Sequence, residues 1–145
     1  MPYSSMSEAE VHDFLTMLPA RTGKLATVRA DGRPHVAPIW YDVDADGSIV
    51  FNTGSSTVKG RNLGRTGWAS LCVDDDRPPF CFVVLEGPVD LITDLAEVRR
   101  VAEQLGGRYM GADQAVAYGA RNGVPGELAV RLRPERVISA KNVAD

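Results

Sequence analysis

The fold is decided by residues 25–52, which read LATVRADGRPHVAPIWYDVDADGSIVFN. Three apolar runs in this stretch are separated by two Asp-Gly pairs, Asp31-Gly32 and Asp46-Gly47. An Asp-Gly pair between apolar runs is a strong short-range signal for a β-hairpin, because both residues accept the backbone angles of tight turns. We therefore predict strands over 25–29, 35–43 and 48–52 in an antiparallel meander. Strands joined by such short turns cannot be the parallel strands of a doubly wound fold.

The β-type pattern continues towards the C-terminus. Residues 68–73 predict a further strand, and 80–93 form the longest β-type run, with a bulge or bend expected at Gly87-Pro88. Residues 127–132 and 136–140 close the chain as strand, separated by Pro134. Closing such short strands into a barrel removes their exposed edges. We expect a mainly β protein built on a six-stranded antiparallel barrel.

Helices are predicted at the periphery. Ser7 with Glu10 has the form of a capping box and begins the first helix. A short second helix covers about residues 57–65. Asp94 begins a third helix, which we expect to stop at Gly106-Gly107, and residues 112–120 add one or two helical turns.

Length and composition restrict the class of protein. The chain has 145 residues and a net charge of −3, with 44% hydrophobic and 24% charged residues. It is long enough for one domain, expected over residues 1–145, and its acidic balance argues against nucleic-acid binding. No apolar run could cross a bilayer, and the N-terminus lacks the pattern of a signal peptide. Cys72 and Cys81 lack the spacing of zinc ligands. We predict a cytoplasmic protein with no metal site.

Residues 49–62 predict a site for phosphate. They read IVFNTGSSTVKGRN, an apolar strand followed by small hydroxyl residues and then by Lys59 and Arg61 on a short helix. Free N–H groups at a helix N-terminus, hydroxyl groups and two cations together favour an anion. Turns of Ser and Thr also arise as plain helix caps, so both interpretations stay open.

Pro38 lies inside an otherwise good strand, residues 35–43. Proline cannot donate to a β-ladder, so it predicts either a sheet edge or a local break in pairing. On the proline alone we favour protection of an edge. The alternative is that the unpaired backbone faces a planar ligand, with Trp40 and Tyr41 as apolar walls or as ordinary core aromatics.

The sequence contains no recognisable catalytic constellation. It has no Gly-x-Ser-x-Gly elbow, no Walker motif and no His/Glu pair at helical spacing. His12 and His35 are interpreted as ordinary surface histidines. The catalytic residues are therefore left unassigned.

Four segments together resemble a known family. They are Leu25-Ala-Thr-Val28, the segment from Asp31 to Trp40, Val50-Phe-Asn-Thr53 and Lys59-Gly-Arg-Asn-Leu63. They resemble the pyridoxamine-phosphate-oxidase-like flavoproteins, and more narrowly the actinobacterial branch that uses the deazaflavin coenzyme F420. The resemblance runs from about residue 23 to residue 89, with a weaker echo at 130–133.

The resemblance implies a split antiparallel barrel in which two subunits pair to build two cofactor sites. It implies that one strand lines the cofactor ring, largely through its backbone, and that a second group holds the phosphate. The expected ring-facing residues are Val36, Ala37, Pro38, Ile39 and Trp40. The expected phosphate-side residues are Asn52, Thr53, Lys59, Arg61 and Asn62. Val58 stands where flavin mononucleotide (FMN) members often have arginine, which favours F420 and leaves FMN as the alternative.

The resemblance also implies a function. Redox chemistry would belong to the cofactor, while the protein binds it, orients it and excludes water. We expect hydride transfer from reduced F420 to an electron-poor or conjugated acceptor such as an enone, a quinone or a tetrapyrrole. Two alternatives stay open: an FMN-dependent oxidoreductase on the same fold, and a non-catalytic protein that binds a cofactor, haem or a tetrapyrrole.

Overall fold

A curled antiparallel sheet flanked by four α-helices forms the molecule, in a computed structural model that describes residues 4–144. The helices are α1 (Glu8–Thr16), α2 (Val58–Thr66), α3 (Leu95–Met110) and α4 (Ala115–Asn122), with a short 3₁₀ turn at Ala112–Gln114. The strands are β1 (Gly23–Val28), β2 (Pro34–Ile39), β3 (Asp42–Val43), β4 (Ile49–Gly54), β5 (Trp68–Asp75), β6 (Cys81–Ile92), β7 (Glu127–Leu132) and β8 (Arg136–Ala140).

The connection between β2 and β3 shows how strongly the sheet curls. The strands follow the order β2-β1-β5-β6-β7-β4-β3, so β2 and β3 lie at opposite ends of the path. A flat sheet would separate those ends by about 29 Å, because neighbouring strands lie about 4.8 Å apart. Only Trp40 and Tyr41 join the two strands, a connection that spans at most about 11 Å. The sheet therefore closes almost onto itself, which confirms a mainly β, barrel-like fold.

The two predicted hairpins are confirmed, but the predicted count of six strands is wrong. β1 pairs with β2 around Asp31-Gly32, and β3 pairs with β4 around Asp46-Gly47. The predicted strand 35–43 is two strands in different parts of the sheet, so residues 25–52 form two separate hairpins instead of one meander. The segments 127–132 and 136–140, predicted as strand on either side of Pro134, are confirmed as β7 and β8, which count as separate strands because they pair with different parts of β6. The described residues therefore contain eight strands.

The bulge predicted at Gly87-Pro88 is found opposite these residues, in the chain between β7 and β8 that pairs with the other edge of β6. Pairing with β5 continues through both residues without a shift. On the other side the register changes by one residue between β8 and β7, so residues 133–135 contain the extra residue. A Cβ on Gly87 would lie 2.1 Å from the carbonyl oxygen of Arg133, so only glycine permits this close approach.

The helices begin where predicted, but α3 does not stop at Gly106-Gly107. The Ser7 capping box is present, with the Ser7 hydroxyl accepting from Glu10 N–H at 3.1 Å. α3 runs through both glycines to Met110, because α4 packs there. A Cβ on Gly106 would lie 2.4 Å from Cβ of Tyr118. The glycines therefore permit helix packing, and they do not end the helix. None of the described helices is long and apolar enough to cross a membrane.

Candidate functional site

The predicted turn before α2 folds tightly against the end of β4. Thr57 caps the helix: its hydroxyl accepts from Gly60 N–H at 3.1 Å and donates to the Gly54 carbonyl at 2.8 Å. A Cβ on Gly60 would lie 2.1 Å from the same carbonyl oxygen. The first N–H groups of α2, at Val58 and Lys59, have no acceptor within the helix itself.

Neighbouring residues on β4 face opposite sides of the sheet, and this separates two predicted site residues. The buried Thr53 lies beside the cap, with its hydroxyl oxygen 3.1 Å from that of Thr57. The Asn52 amide points the other way and donates to the carbonyls of Leu128 at 3.2 Å and Val98 at 3.4 Å. Asn52 therefore links β4 to β7 and α3, and the structure does not bring its amide beside Thr53.

Asn62 is a buried link between α2 and β1. Asn62 is only 3% exposed, and its side-chain amide donates to the Thr27 hydroxyl at 3.0 Å. Its carbonyl oxygen accepts from the Arg65 guanidinium at 2.8 Å. Arg65 also donates to the Val28 carbonyl. Asn62 therefore orients Arg65.

A surface cavity of about 300 Å³ opens between α2 and the β1–β2 hairpin. Its lining contains three arginines, one carboxylate, one amide and two apolar residues: Arg29, Arg61, Arg65, Asp31, Asn62, Ala30 and Val58. The charge balance favours an anion. Of the predicted phosphate-side residues, the cavity brings together Arg61 and Asn62.

The structure places Lys59 away from this cavity. Lys59 and Arg61 are two residues apart, which is about 200° around an α-helix, so their side chains point to different sides. Lys59 is half-buried and does not line the cavity. Arg29 and Arg65 were not predicted. The spacing of Arg61 and Arg65 on one helical face could have indicated Arg65, whereas no local signal indicates Arg29.

β2 is an edge strand, as Pro38 predicts. Arg29 N–H donates to the Arg33 carbonyl at 2.9 Å, so alternate residues from position 35 onward point their polar backbone groups at β1. The backbone groups of Pro34, Val36 and Pro38 then point to the free edge. Because proline has no N–H, that edge offers three carbonyl oxygens and only the N–H of Val36.

The side chains of Trp40 and Tyr41 pack into the interior. Tyr41 is completely buried, its hydroxyl donates to the Leu15 carbonyl at 2.7 Å, and burial raises its pKa to about 12. The Trp40 ring stacks on Tyr109, with centroids 5.0 Å apart and planes 3° from parallel. The interpretation as core aromatics is therefore correct for Tyr41, and Trp40 is held by an aromatic neighbour.

His35 is not the surface residue that we expected. It lies opposite Thr27 on the inner face of the β1–β2 pair, and its Nδ1 atom is buried without a hydrogen-bond partner in residues 4–144. A larger cavity of about 990 Å³ lies between α1, the β3–β4 turn and β8, and His12 is part of its lining. It contains none of the predicted site residues, so the arginine-lined cavity is the better candidate for the site.

Residues 7–141 match the family described as pyridoxamine 5'-phosphate oxidase, over nearly the whole chain. The chain belongs to the pyridoxamine 5'-phosphate oxidase family. This membership confirms the family resemblance seen in the sequence. A curated relative, the 5a,11a-dehydrotetracycline/5a,11a-dehydrooxytetracycline reductase of Streptomyces rimosus, is 29% identical over 119 residues, covering 81% of this chain and 72% of the relative.

Two solved structures share the fold of this chain. The conserved hypothetical protein Rv2991 from Mycobacterium tuberculosis is 30% identical, with a TM-score of 0.81 and coverage of 94% of this chain and 86% of that one. An F420 reductase is 26% identical, with a TM-score of 0.67 and coverage of 87% of this chain and 94% of that one. The proteins similar to this chain thus include two named reductases.

Proposed function

We propose that this protein is an oxidoreductase that transfers a hydride from reduced coenzyme F420 to an electron-poor or conjugated organic acceptor. The observation that carries the proposal is the arginine-lined cavity beside a strand with an open backbone edge. The similarity to an F420 reductase and to a reductase of a dehydrotetracycline supports both the cofactor and the kind of acceptor. An enone, a quinone or a tetrapyrrole has the required electron-poor conjugated system.

The residues around the cavity fit the phosphate of such a cofactor. Arg29, Arg61 and Arg65 supply charge-assisted hydrogen bonds, which are stronger than neutral ones. Asp31, the one carboxylate in the lining, is already close to a cation, with 4.0 Å to Arg33. A single phosphate group is small enough for about 300 Å³. We assign the anion primarily to Arg61 and Arg65, with the N–H groups at the start of α2 and the Lys59 side chain available to a longer ligand.

The free edge of β2 fits the polar rim of a flavin or deazaflavin ring. Carbonyl oxygens of Pro34, Val36 and Pro38 would accept from a ring N–H, and the Val36 N–H would donate to a ring carbonyl. Ile39 and Trp40 continue the strand towards the interior, where their side chains pack. When bound, reduced F420 supplies the hydride, and positioning by the protein provides much of the rate. FMN on the same residues is the alternative cofactor.

We also propose that the protein is a homodimer. Residues paired across β2, β1, β5, β6 and β8 share the outer face of the sheet, and one such row is Pro38, Lys24, Cys72, Val84 and Ile138. Val36 and Trp68 on this face are 68% and 44% exposed, and Ile138 is 37% exposed. An exposed apolar sheet face of this kind is typical of a protein–protein interface. A second copy is the occupant that the family fold implies.

Titration of the purified protein with oxidised F420 and with FMN, followed by fluorescence, tests the proposal. We expect F420 to bind more tightly than FMN. Arg61→Ala should weaken F420 binding at least tenfold, because Arg61 lines the cavity, whereas Arg33→Ala removes the same charge from the hairpin outside the cavity and should have little effect. Binding of FMN alone would overturn the cofactor assignment.

Turnover requires a separate measurement. Reduced F420 is mixed with the protein and a panel of enones, quinones and tetrapyrroles, and oxidation of the cofactor is followed by absorbance. Acceptor-dependent oxidation is expected. Tight binding of F420 with no oxidation by any acceptor would favour a non-catalytic binding protein.

A further inference from the structure

The β1–β2 ladder ends at an inserted side chain. Pairing runs from Val28↔Pro34 to Gly23↔Ile39. Continuing this register by two residues would place Arg21 opposite Tyr41 as the next hydrogen-bonded pair, with Tyr41 N–H donating to the Arg21 carbonyl. That direct bond is replaced by a bridge through Tyr109.

The Tyr109 hydroxyl occupies the place of the direct bond. Tyr41 N–H donates to the hydroxyl oxygen at 3.2 Å, and the hydroxyl donates to the Arg21 carbonyl at 2.6 Å. The Tyr41 carbonyl also lies 3.2 Å from the hydroxyl, but a phenol has a single proton and the shorter contact takes it. Burial raises the pKa of Tyr109, so the hydroxyl stays protonated and able to donate near neutral pH.

This insertion holds β1 and β2 apart at the point where the chain leaves the sheet. At the next residue, Asp42, the chain begins to pair with β4 as β3, at the opposite end of the strand order. The ring of Tyr109 is also the surface on which Trp40 stacks, at 5.0 Å between centroids. One residue of α3 therefore holds both the backbone of Tyr41 and the side chain of Trp40.

We propose that Tyr109 is a positioning residue for the cofactor ring: its hydroxyl, inserted between Arg21 and Tyr41, sets where β2 ends and so where the backbone of residues 36–40 lies. The inference rests on the proposed function, because it assigns the ring to the free edge of β2. Tyr109 does not touch the cofactor in this assignment. It acts through Trp40 and Tyr41.

Tyr109→Phe tests the inference, because phenylalanine keeps the ring against Trp40 and removes only the hydroxyl. Tyr118→Phe is the matched control: Tyr118 also packs on Trp40, at 5.6 Å, and its hydroxyl makes no hydrogen bond within the described residues. Two measurements are made on each variant. Amide hydrogen exchange at Tyr41 reports the bridge without any cofactor, and F420 affinity with visible circular dichroism of the bound cofactor reports ring position.

In Tyr109→Phe we expect exchange at the Tyr41 amide to accelerate at least tenfold, F420 affinity to fall about tenfold, and the circular dichroism of the bound cofactor to change. Tyr118→Phe should match the wild type in all three. Unchanged exchange in Tyr109→Phe overturns the inserted bridge. Faster exchange with unchanged affinity and dichroism overturns the positioning role while the proposed function stands.

The two proposals can fail separately. If the wild-type protein binds neither F420 nor FMN, the proposed function and the positioning role both fail, while the exchange rates still decide whether the hydroxyl is inserted. If Tyr109→Phe does not fold, the inference is tested on the wild-type protein by nuclear magnetic resonance. A protected Tyr41 amide with a nuclear Overhauser cross-peak to the Tyr109 hydroxyl proton is expected, and an unprotected amide overturns the inference.

Discussion

Replacing Asn62 by alanine tests the link between α2 and the barrel. The substitution removes a buried amide that donates to Thr27 and a carbonyl oxygen that accepts from Arg65. A neutral hydrogen bond contributes about 1 kcal/mol and one to a charged group about 1.5–3 kcal/mol. Arg65 lies at the surface and can be rehydrated, so we use about 1.5 kcal/mol, the lower end of that range, for its bond to Asn62. The two bonds together give a loss of about 2.5 kcal/mol, and the small cavity left behind raises the expected loss to about 3 kcal/mol.

Chemical and thermal unfolding measure this loss. For a chain of this length a loss of 1 kcal/mol lowers Tm by about 3 °C, so Asn62→Ala should unfold about 9 °C earlier than the wild type. The denaturant m-value should not change, because the surface exposed on unfolding is the same. A loss below about 1 kcal/mol would refute the buried link.

Asn52→Ala is the matched control for the effect on the site. It also removes an amide that donates to two carbonyls, and it should cost about 1–2 kcal/mol. Only Asn62→Ala releases Arg65, so only this variant should weaken F420 binding, by about threefold to tenfold. Equal weakening of F420 binding in the two variants would show that Asn62 does not act through Arg65.

Three further predictions concern stability, pH and assembly. Gly60→Ala should cost about 3 kcal/mol or more in unfolding experiments, because its Cβ would overlap the Gly54 carbonyl, whereas Gly64→Ala, with its nearest neighbour at 3.9 Å, should stabilise by up to about 1 kcal/mol. Burial opposes a low pKa for Asp44, but hydrogen bonds led by Arg131 lower that pKa. The ionised Asp44 therefore stabilises the folded state above its ordinary pKa near 4, and this contribution is lost as the pH falls below that value. Arg131→Met should therefore reduce the decrease in unfolding free energy between about pH 5 and pH 3. Val84→Asp on the outer sheet face should give monomers by analytical ultracentrifugation, and an unchanged dimer would contradict the proposed interface.

Much of the fold was predictable because its signals are local. The Asp31-Gly32 and Asp46-Gly47 turns need only backbone angles that these residues adopt readily, and both hairpins form. The caps at Ser7 and Thr57 are satisfied within four residues of chain, and both helices begin there. Such features depend on a few neighbouring residues and survive in any tertiary context that leaves them exposed.

The predictions that failed depended on distant contacts. Gly106-Gly107 would end an isolated helix, but packing of Tyr118 against Gly106 makes the glycines useful inside α3. The strand 35–43 has a continuous β-type pattern, and its division is explained by the Tyr109 hydroxyl, 68 residues away in the chain. Tertiary packing outweighed local preference in both cases.

The antiparallel class, the two hairpins, the helix starts, the edge position of Pro38 and the family could be predicted from sequence, because turn chemistry, capping and motif spacing are short-range properties. The tertiary structure decided which side chains meet. It separated Asn52 from Thr53 by the alternation of a strand and Lys59 from Arg61 by the turn of a helix. It also brought Arg29 to Arg61 and Arg65 across a cavity. These side-chain contacts depend on the curvature of the sheet and on the close approach of α2 to the sheet that Gly60 permits. Packing over the whole barrel determines both the curvature and the approach.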